Sequence, residues 1–255
     1  MSDLKDKCVV ITGASRGIGE AAARHLAGLG ARVVLAARSA TDIDKIAAEI
    51  ARAGGTASAL VCDVSRYDDV KALIDHAVAF SGRLDVLVNN AGLIDPIARL
   101  ADSDPQAWSH VVDVNYKGVY YGLRCAIPEM LKNGGGVVIN ISSGAAVSAL
   151  EGWSHYCSSK AAVLSLTRCA DKEYADHGIR VVGLSPGTVA TEMQVQIKAS
   201  GINPVSQLDP SVHIPPQWVA QAIAFLCGPG GSAFAGTDFL LRSEENRSLM
   251  GLQTG

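Results

Sequence analysis

The 255-residue sequence lacks the features that mark several large classes of protein. Its formal net charge of -3 provides no basic field to attract nucleic acid or an anionic membrane surface. No apolar run is long enough to cross a bilayer, and residues 1–7 lack the apolar core of a signal peptide. The sequence therefore predicts a cytoplasmic protein without a nucleic-acid or membrane partner.

Paired cysteines, repeats and linkers are also missing. The six cysteines show neither the short paired spacing of a zinc site nor a redox CxxC motif, so buried free thiols and no metal site are predicted. Hydrophobic residues make up 48% and charged residues 18% of the chain. This balance favours one domain, residues 1–255, around a large core.

What the sequence does contain is a regular alternation of short β-branched runs and segments with helical spacing of apolar residues. Because each run is apolar almost throughout, a parallel sheet covered by helices on both faces is expected. The pattern predicts an α/β fold, a doubly wound Rossmann-type parallel sheet of about seven strands. The predicted strands lie near residues 7–12, 32–36, 57–62, 84–89, 136–142, 180–185 and 239–241.

The alternation stops between residues 186 and 216, where several prolines and glycines occur without clear periodicity. Long irregular segments in a compact domain usually carry function or move. A mobile substrate loop is therefore predicted at about residues 188–216.

A glycine-rich turn at residues 12–19 lies between the first strand and the first helix. Backbone N–H groups and the dipole of a helix N-terminus can bind a pyrophosphate at such a place. Glycines alone would fit an ordinary turn equally well, but the strand before and the helix after favour a dinucleotide site. The predicted contacts are Gly13, Ser15, Arg16, Gly17, Ile18 and Gly19.

The end of the second strand bears on the choice of nicotinamide. NAD-binding folds place an acidic residue there, whereas this sequence has Arg38 and no carboxylate. Arg38 can pair with a 2′-phosphate and Arg16 offers a second cation, although both would also fit as solvated surface charges. The sequence therefore predicts NADP(H).

Six motifs follow one another in a fixed order and in matching elements. They are the TGxxxGxG turn, Asn89-Asn90-Ala91-Gly92, Asn115, Ser143, Tyr156-Cys157-Ser158-Ser159-Lys160 and Pro186-Gly187. Together they resemble the short-chain dehydrogenase/reductase family over roughly residues 7–191.

Tyr156 and Lys160 are four residues apart and therefore share a helix face. Hydride transfer to a ketone carbon leaves a negative oxygen that needs a proton, which Tyr156 can supply. The Lys160 cation is expected to lower the tyrosine pKa from its usual value near ~10. Because such pairs are common on solvated helices, the interpretation depends on the family motifs around them.

The resemblance implies roles for the other polar residues of the site. Ser143 would bind the substrate oxygen, Lys160 would also hold the nicotinamide ribose, and Asn115 would secure a water that relays protons. Ser143 is preferred to the adjacent Ser142 because its spacing to Tyr156 matches the family and because the strand should end near Ser142.

Further cofactor contacts are implied after the later strands. Asp63 would contact adenine, although it would also fit as a helix cap. Asn89 either borders the cofactor or stabilises the central strand, and Thr191 either binds the carboxamide or caps a helix. The implied set also includes Val64, Ala91, Gly92, Tyr156, Lys160, Pro186, Gly187 and Val189.

A mainly apolar substrate pocket is predicted, which suits a hydrophobic or aromatic ketone. Trp153 could equally be a packing residue at the start of a helix. Val147 and His155 are further candidates near the pocket. The predicted lining is Leu93, Ser143, Ala145, Trp153 and Met193.

The predicted function is that of an NADP(H)-dependent ketone or aldehyde reductase. A 3-oxoacyl-thioester reductase is the alternative within the same chemistry, and a catalytically silent dinucleotide sensor is a third hypothesis, which the complete catalytic set argues against. The resemblance implies a homotetramer or homodimer. After Thr237, however, the sequence lacks the paired glycines usual in the family, which puts the transfer of those contacts in doubt.

Overall fold

The computed structural model describes residues 4–252, so the first and last three residues of the predicted domain lie outside the described part. A parallel sheet of seven strands forms its centre. The strands are β1 (Cys8–Thr12), β2 (Arg32–Ala37), β3 (Thr56–Val61), β4 (Val86–Asn89), β5 (Gly136–Ile141), β6 (Ile179–Ser185) and β7 (Asp238–Leu240). Their order, β3-β2-β1-β4-β5-β6-β7, reverses between β1 and β4 and confirms the predicted doubly wound fold.

Helices connect the strands and cover both faces of the sheet. The connection between β4 and β5 contains two helices, α4 and α5, joined by a π-helical turn, Asp113–Lys117. In chain order the α-helices are α1 (Gly17–Gly28), α2 (Ala40–Arg52), α3 (Tyr67–Ser81), α4 (Pro105–Val112), α5 (Gly118–Lys132), α6 (Ser154–Tyr174), α7 (Glu192–Ser200), α8 (Pro216–Cys227) and α9 (Glu244–Leu249).

Alternate residues of β1 pack into two separate cores. Val9 and Ile11 belong to the core that includes residues of α1 and α8, while Val10 belongs to the core that includes residues of α3 and α5. Because both faces are buried, both sets of alternate positions must be apolar. This explains the continuous apolar runs in the sequence.

The structure corrects three expectations. The edge strand β3 is half-exposed, because it pairs only with β2. Cys169 is exposed, and Cys157 and Cys227 are partly buried rather than buried.

The third correction concerns residues 188–216, which are not wholly irregular. They contain α7 and two short 3-10 turns, and Val189 pairs with Ile214 in an isolated bridge. Only Ile197 of α7 is buried, so the helix imposes no visible apolar period on the sequence. The mobility of this segment stays a prediction. Within residues 4–252, no helix is long and apolar enough to span a membrane.

Candidate active site

The predicted site residues collect at the carboxyl ends of the strands, around the point between β1 and β4 where the strand order reverses. Open parallel sheets bind ligands at this position, because the loops diverge there and leave a crevice. The glycine turn follows β1, the Asn-Asn-Ala-Gly loop follows β4, Ser143 lies just after β5, and the Pro-Gly segment follows β6.

The glycine turn depends on residues without side chains. Gly13 and Gly17 adopt φ angles of 63° and 57°, which favour glycine. A Cβ atom on Gly13 would lie 2.8 Å from Cα of Ala91, and one on Gly17 would lie 3.2 Å from Cγ2 of Thr191. A Cβ on Gly19 would collide with the Gly13 carbonyl oxygen. The turn therefore leaves an open cradle at the start of α1, where no side chain caps the backbone N–H groups.

Asn90, which the sequence analysis did not select as a site residue, fixes this turn in place. Its Nδ2 donates to the carbonyl oxygens of Thr12 at 2.9 Å and of Gly13 at 3.1 Å. The hydroxyl of Thr12 accepts from the backbone N–H groups of Asn90 and Ala91. The motif pointed to both asparagines, but nothing in the sequence showed which one reaches the turn.

The two cationic candidates for a 2′-phosphate lie on the surface. Arg16 and Arg38 are exposed, and within residues 4–252 neither takes part in a salt bridge. Their exposed guanidinium groups remain open to a ligand.

Asp63 forms local hydrogen bonds instead of capping α3. Its Oδ1 accepts from the Ser65 backbone N–H at 3.0 Å and hydroxyl at 2.7 Å, whereas α3 begins at Tyr67 after Arg66. Burial would raise the pKa of Asp63, but the Ser65 hydrogen bonds and the charge of Arg38 hold it below its usual value. The helix-cap alternative was therefore wrong.

Tyr156 and Lys160 are buried on one face of α6, as their spacing predicted. They are 8% and 4% exposed, and Nζ of Lys160 lies 5.6 Å from the centre of the Tyr156 ring. Nζ donates to the carbonyl oxygen of Ile141 at 2.6 Å, which ties the lysine to the end of β5.

Burial dominates the titration of both groups. It raises the pKa of Tyr156 to about 12, opposed by a hydrogen bond with the Ser143 hydroxyl, and it lowers the pKa of Lys160 to about 8, opposed by the charge of Asp238. The expected lowering of the Tyr156 pKa is therefore wrong for the protein alone, because loss of solvent outweighs the Ser143 hydrogen bond. At neutral pH Tyr156 keeps its proton.

The two adjacent serines have different environments, in agreement with the preference for Ser143. Ser142 is 2% exposed, and its hydroxyl donates to Oδ2 of Asp238 at 3.2 Å inside the fold. Ser143 is half-buried and lies near enough to Tyr156 to lower its pKa, and its Oγ accepts from the Ala145 N–H at 3.1 Å. Because β5 ends at Ile141, Ser143 stands outside the sheet and faces the site.

Asn115 lies fully buried in the π-helical turn. Its Oδ1 accepts from the Leu93 N–H at 2.8 Å, and its Nδ2 donates to the Leu93 carbonyl oxygen at 2.9 Å. A Cβ atom on Gly92 would lie 3.5 Å from this Oδ1 and 4.0 Å from Nζ of Lys160, so the three residues are neighbours. The side chain of Asn115 thereby holds the loop after β4, and its role in securing a relay water stays a prediction.

Asn89 and Val64 face the protein interior. Nδ2 of Asn89 donates to Oδ1 of Asn140 at 2.9 Å, and Nδ2 of Asn140 donates to the Thr167 hydroxyl at 2.9 Å. The side chain of Asn89 therefore takes the alternative role of stabilising the central strands. Val64 is buried against Gly118, where a Cβ would lie 2.9 Å from its Cγ2.

The segment after β6 closes the other side of the cradle. Gly187 has a φ angle of 80°, which turns the chain after Pro186. Thr191 stands at the N-cap position of α7 without a side-chain cap bond, and its hydroxyl donates to the Val189 carbonyl oxygen at 3.3 Å. Thr191 is thus not a helix cap through its side chain.

A small apolar cluster surrounds Tyr156. Its buried members include Ala145, Trp153, Ile94 and Ile197, with Met193 packed against them. The rings of Trp153 and Tyr156 meet edge to face, with centroids 5.6 Å apart. The side chains around Tyr156 are therefore mainly apolar, and the substrate pocket itself stays a prediction.

Three predicted pocket residues are not members of this cluster. Leu93 packs against the core under α5, because Asn115 draws its backbone inward. Val147 is 76% exposed. His155 is fully buried, and its Nε2 lies 2.6 Å from the Ile94 carbonyl oxygen, so the ring serves the protein interior.

The arrangement fits a nicotinamide dinucleotide. The glycine cradle, the uncapped start of α1 and the exposed arginines suit its phosphates, and a buried proton donor lies beside them. Within the described residues, no group of three or more acidic, histidine or cysteine side chains is arranged to hold a metal ion.

Comparison with known proteins identifies the family. Residues 7–201 match the family model for short chain dehydrogenases. The cyclohexanol dehydrogenase of an Acinetobacter species is 31% identical over 239 residues, covering 92% of this chain and 93% of that protein. The 3-oxoacyl-(acyl-carrier-protein) reductase of a Synechocystis species is 36% identical over 238 residues, covering 92% and 94%.

A solved structure agrees with these sequence matches. A short chain dehydrogenase from Mycobacterium smegmatis superimposes with a TM-score of 0.83 at 32% identity, covering 96% of this chain and 95% of that one. The chain therefore belongs to the short-chain dehydrogenase family and is an oxidoreductase that uses a nicotinamide cofactor.

Proposed function

We propose that this protein is an NADP(H)-dependent oxidoreductase that interconverts a ketone or aldehyde and the corresponding alcohol. The observation that carries the proposal is the buried pair of Tyr156 and Lys160, with the half-buried Ser143 beside it, next to the glycine cradle. A silent dinucleotide sensor would have no use for a desolvated proton donor, so we favour an enzyme.

The residues of the cradle would hold the cofactor. The N–H groups at the start of α1 suit the pyrophosphate, and the exposed guanidinium groups of Arg16 and Arg38 suit a 2′-phosphate better than a bare ribose. When bound, the nicotinamide supplies the hydride for reduction or accepts it for oxidation.

The chain itself supplies proton transfer and orientation. Burial keeps Tyr156 protonated at neutral pH, so its hydroxyl can donate to the substrate oxygen as negative charge develops there. The Ser143 hydroxyl offers a second hydrogen bond to the same oxygen, and the Lys160 cation stabilises the tyrosinate that remains. In oxidation the same groups act in reverse, with Tyr156 as the base.

The apolar cluster around Tyr156 favours a hydrophobic carbonyl compound. One relative is named for its action on cyclohexanol, a cyclic secondary alcohol, which suits such a wall. A second candidate is reduction of a 3-oxoacyl thioester, supported by the 36% identical reductase. The two hypotheses share their catalytic residues and differ in the pocket.

The test is turnover on a panel of cyclic, aromatic and aliphatic ketones and one 3-oxoacyl thioester, with NADPH and NADH in parallel. Tyr156→Phe should lower kcat/KM by about 10³-fold or more, since it removes the proton donor. Tyr174→Phe, at the far end of α6, is the matched control and should retain activity. Faster turnover with NADH would reject the cofactor assignment, and an unchanged Tyr156→Phe variant would reject the mechanism.

We further propose that the protein is a single domain, residues 1–255, located in the cytoplasm, and forms a homotetramer or homodimer, with a small-molecule substrate as its ligand. Light scattering on the purified protein checks the assembly. A monomer mass would contradict it.

A further inference from the structure

Asp238 is a buried carboxylate that the catalytic set does not include. It opens β7 directly opposite Gly183 of β6, and a Cβ atom on Gly183 would lie only 2.8 Å from its Oδ1. The glycine thus leaves room for the aspartate side chain to reach across β6. Nothing in the turn or strand pattern of the sequence marked this residue.

The carboxylate connects the ends of two strands next to the site. Its Oδ2 accepts from the hydroxyls of Ser185 at 2.7 Å and Ser142 at 3.2 Å, whereas its Oδ1 is buried without a hydrogen-bond partner. A structural carboxylate normally has both oxygens satisfied, because an unpaired buried oxygen is costly. The unpaired oxygen makes Asp238 a costly group to bury, unlike a carboxylate whose two oxygens are both satisfied.

Ser142 lies between two residues that the reaction needs. Ile141 accepts the hydrogen bond from Nζ of Lys160, and Ser143 lies near enough to Tyr156 to lower its pKa. Fixing Ser142 therefore fixes both neighbours. The charged groups that act on Asp238 are Lys160 and Arg168, both from α6.

We propose that Asp238 is a positioning residue for the reaction, which holds the end of β5 through Ser142 and supplies a buried negative charge to the side of the site where Lys160 is tied to that strand end. This inference rests on the proposed function. Asp238 does not touch the reacting atoms and acts through its two neighbours.

The titration of both groups agrees with this role. Burial lowers the pKa of Lys160 and Asp238 opposes that shift, while burial raises the pKa of Asp238 and Ser185, Ser142, Lys160 and Arg168 oppose it. Each charge therefore helps to keep the other ionised in a place that favours neutral forms. Without the carboxylate, Lys160 should lose its proton at a lower pH.

The experiment compares pH profiles of the full-length protein and its Asp238→Asn variant. For the variant, kcat/KM at pH 9 should fall about threefold to tenfold below wild type, while at pH 6 it should stay within about twofold. A change that is the same at every pH would show a merely structural role and overturn the proposal. Asp238→Thr, which suits a strand and also lacks the charge, gives the same test if Asp238→Asn does not fold.

A second readout does not require turnover. In protein labelled at the lysine side chains, the NMR signal of Lys160 is identified by its loss in Lys160→Met, and its titration midpoint should move to lower pH in Asp238→Asn. Asp85→Asn, which removes a buried carboxylate at the amino ends of the strands, is the matched control and should leave the Lys160 midpoint unchanged.

The two readouts separate this inference from the proposed function. If the Lys160 midpoint moves but no substrate is turned over by any form of the protein, the electrostatic link between Asp238 and Lys160 stands and the proposed function fails. If Tyr156-dependent turnover is found but the midpoint stays fixed, the function stands and the role of Asp238 is rejected.

Discussion

Asp85 and Asp238 are buried carboxylates of the same sheet, one before β4 at the amino ends of the strands and one beside the carboxyl ends of β5 and β6. Asp85 accepts from the Cys8 N–H at 2.9 Å, from Arg83 at 2.7 Å and from Lys7 at 3.2 Å. Both of its oxygens are paired. Asp238 has one oxygen paired and one orphaned.

The pKa values of the two carboxyl groups reflect this difference in hydrogen bonding. Burial would raise the pKa of Asp85, but Arg83, the Cys8 N–H and Lys7 hold it below its usual value. The pKa of Asp238 is raised, because burial prevails there. At the amino ends of the strands, the charge of Asp85 is compensated and stabilises the fold. At the carboxyl ends, the charge of Asp238 is poorly compensated, as is usual at sites of catalysis.

The largest expected effect comes from removing the charge of Lys160, near the carboxyl ends of the strands. Lys160→Met should lower kcat/KM by about 10²- to 10⁴-fold, because it removes the cation beside Tyr156. The same change should raise the free energy of unfolding at pH 7 by about 1–2 kcal/mol, since a buried ammonium is lost. Enzyme assays and denaturant unfolding measure the two effects.

The pH dependence of that gain follows from the lowered pKa of Lys160. Its folded value, about 8, lies below its ordinary value of 10.5, so the cost of the buried charge is fully present below pH 8 and is relieved as the pH rises towards 10.5. The advantage of Lys160→Met should therefore shrink above pH 8. A variant that is less stable than wild type at pH 7 would count against this interpretation.

An intermediate effect is expected from replacing Arg38, which follows the carboxyl end of β2. Arg38→Gln should lower kcat/KM with NADPH about tenfold or more and leave NADH nearly unaffected, because a 2′-phosphate loses its cation. Arg32→Gln, at the amino end of the same strand, is the matched control. Equal losses with both cofactors would show that Arg38 does not read the phosphate.

The smallest effect should come from replacing Asp85, at the amino ends of the strands. Asp85→Asn should lower the free energy of unfolding by about 1 kcal/mol at pH 7, because two cations lose their partner, and leave kcat/KM unchanged. Since the pKa of Asp85 is lowered in the fold, its contribution is present above the unfolded pKa and is lost as the pH falls through the folded value.

Unfolding of wild type and variant at pH 7 and pH 3 measures this difference, which should become smaller in acid. A loss of activity in Asp85→Asn without a loss of stability would contradict the difference proposed between the amino and carboxyl ends of the strands.

The sequence predicted the sheet, and it pointed to residues that the structure brings together, because local patterns determine both. The glycine turn, Ser143 and the Tyr156–Lys160 spacing are each set by one strand end or one helix face. The pKa of Tyr156 was predicted in the wrong direction, because burial depends on residues distant in the sequence that pack around it.

Other features were missed for similar reasons. Helix α7 buries only Ile197 and leaves no apolar period, and β3 is half-exposed because it lies at the sheet edge. Asp238 lies 78 residues from Lys160 in the numbering of the chain, and only the sheet order brings β7 beside the site.

The buried chain of Asn89, Asn140 and Thr167 restricts how this protein can evolve. Each side chain satisfies the next across β4, β5 and α6, so replacing any one by an apolar residue leaves a polar partner stranded in the core. Replacing all three together with residues of similar shape need not carry that cost. The three positions are therefore epistatic, and single substitutions face a barrier that only a coordinated change avoids.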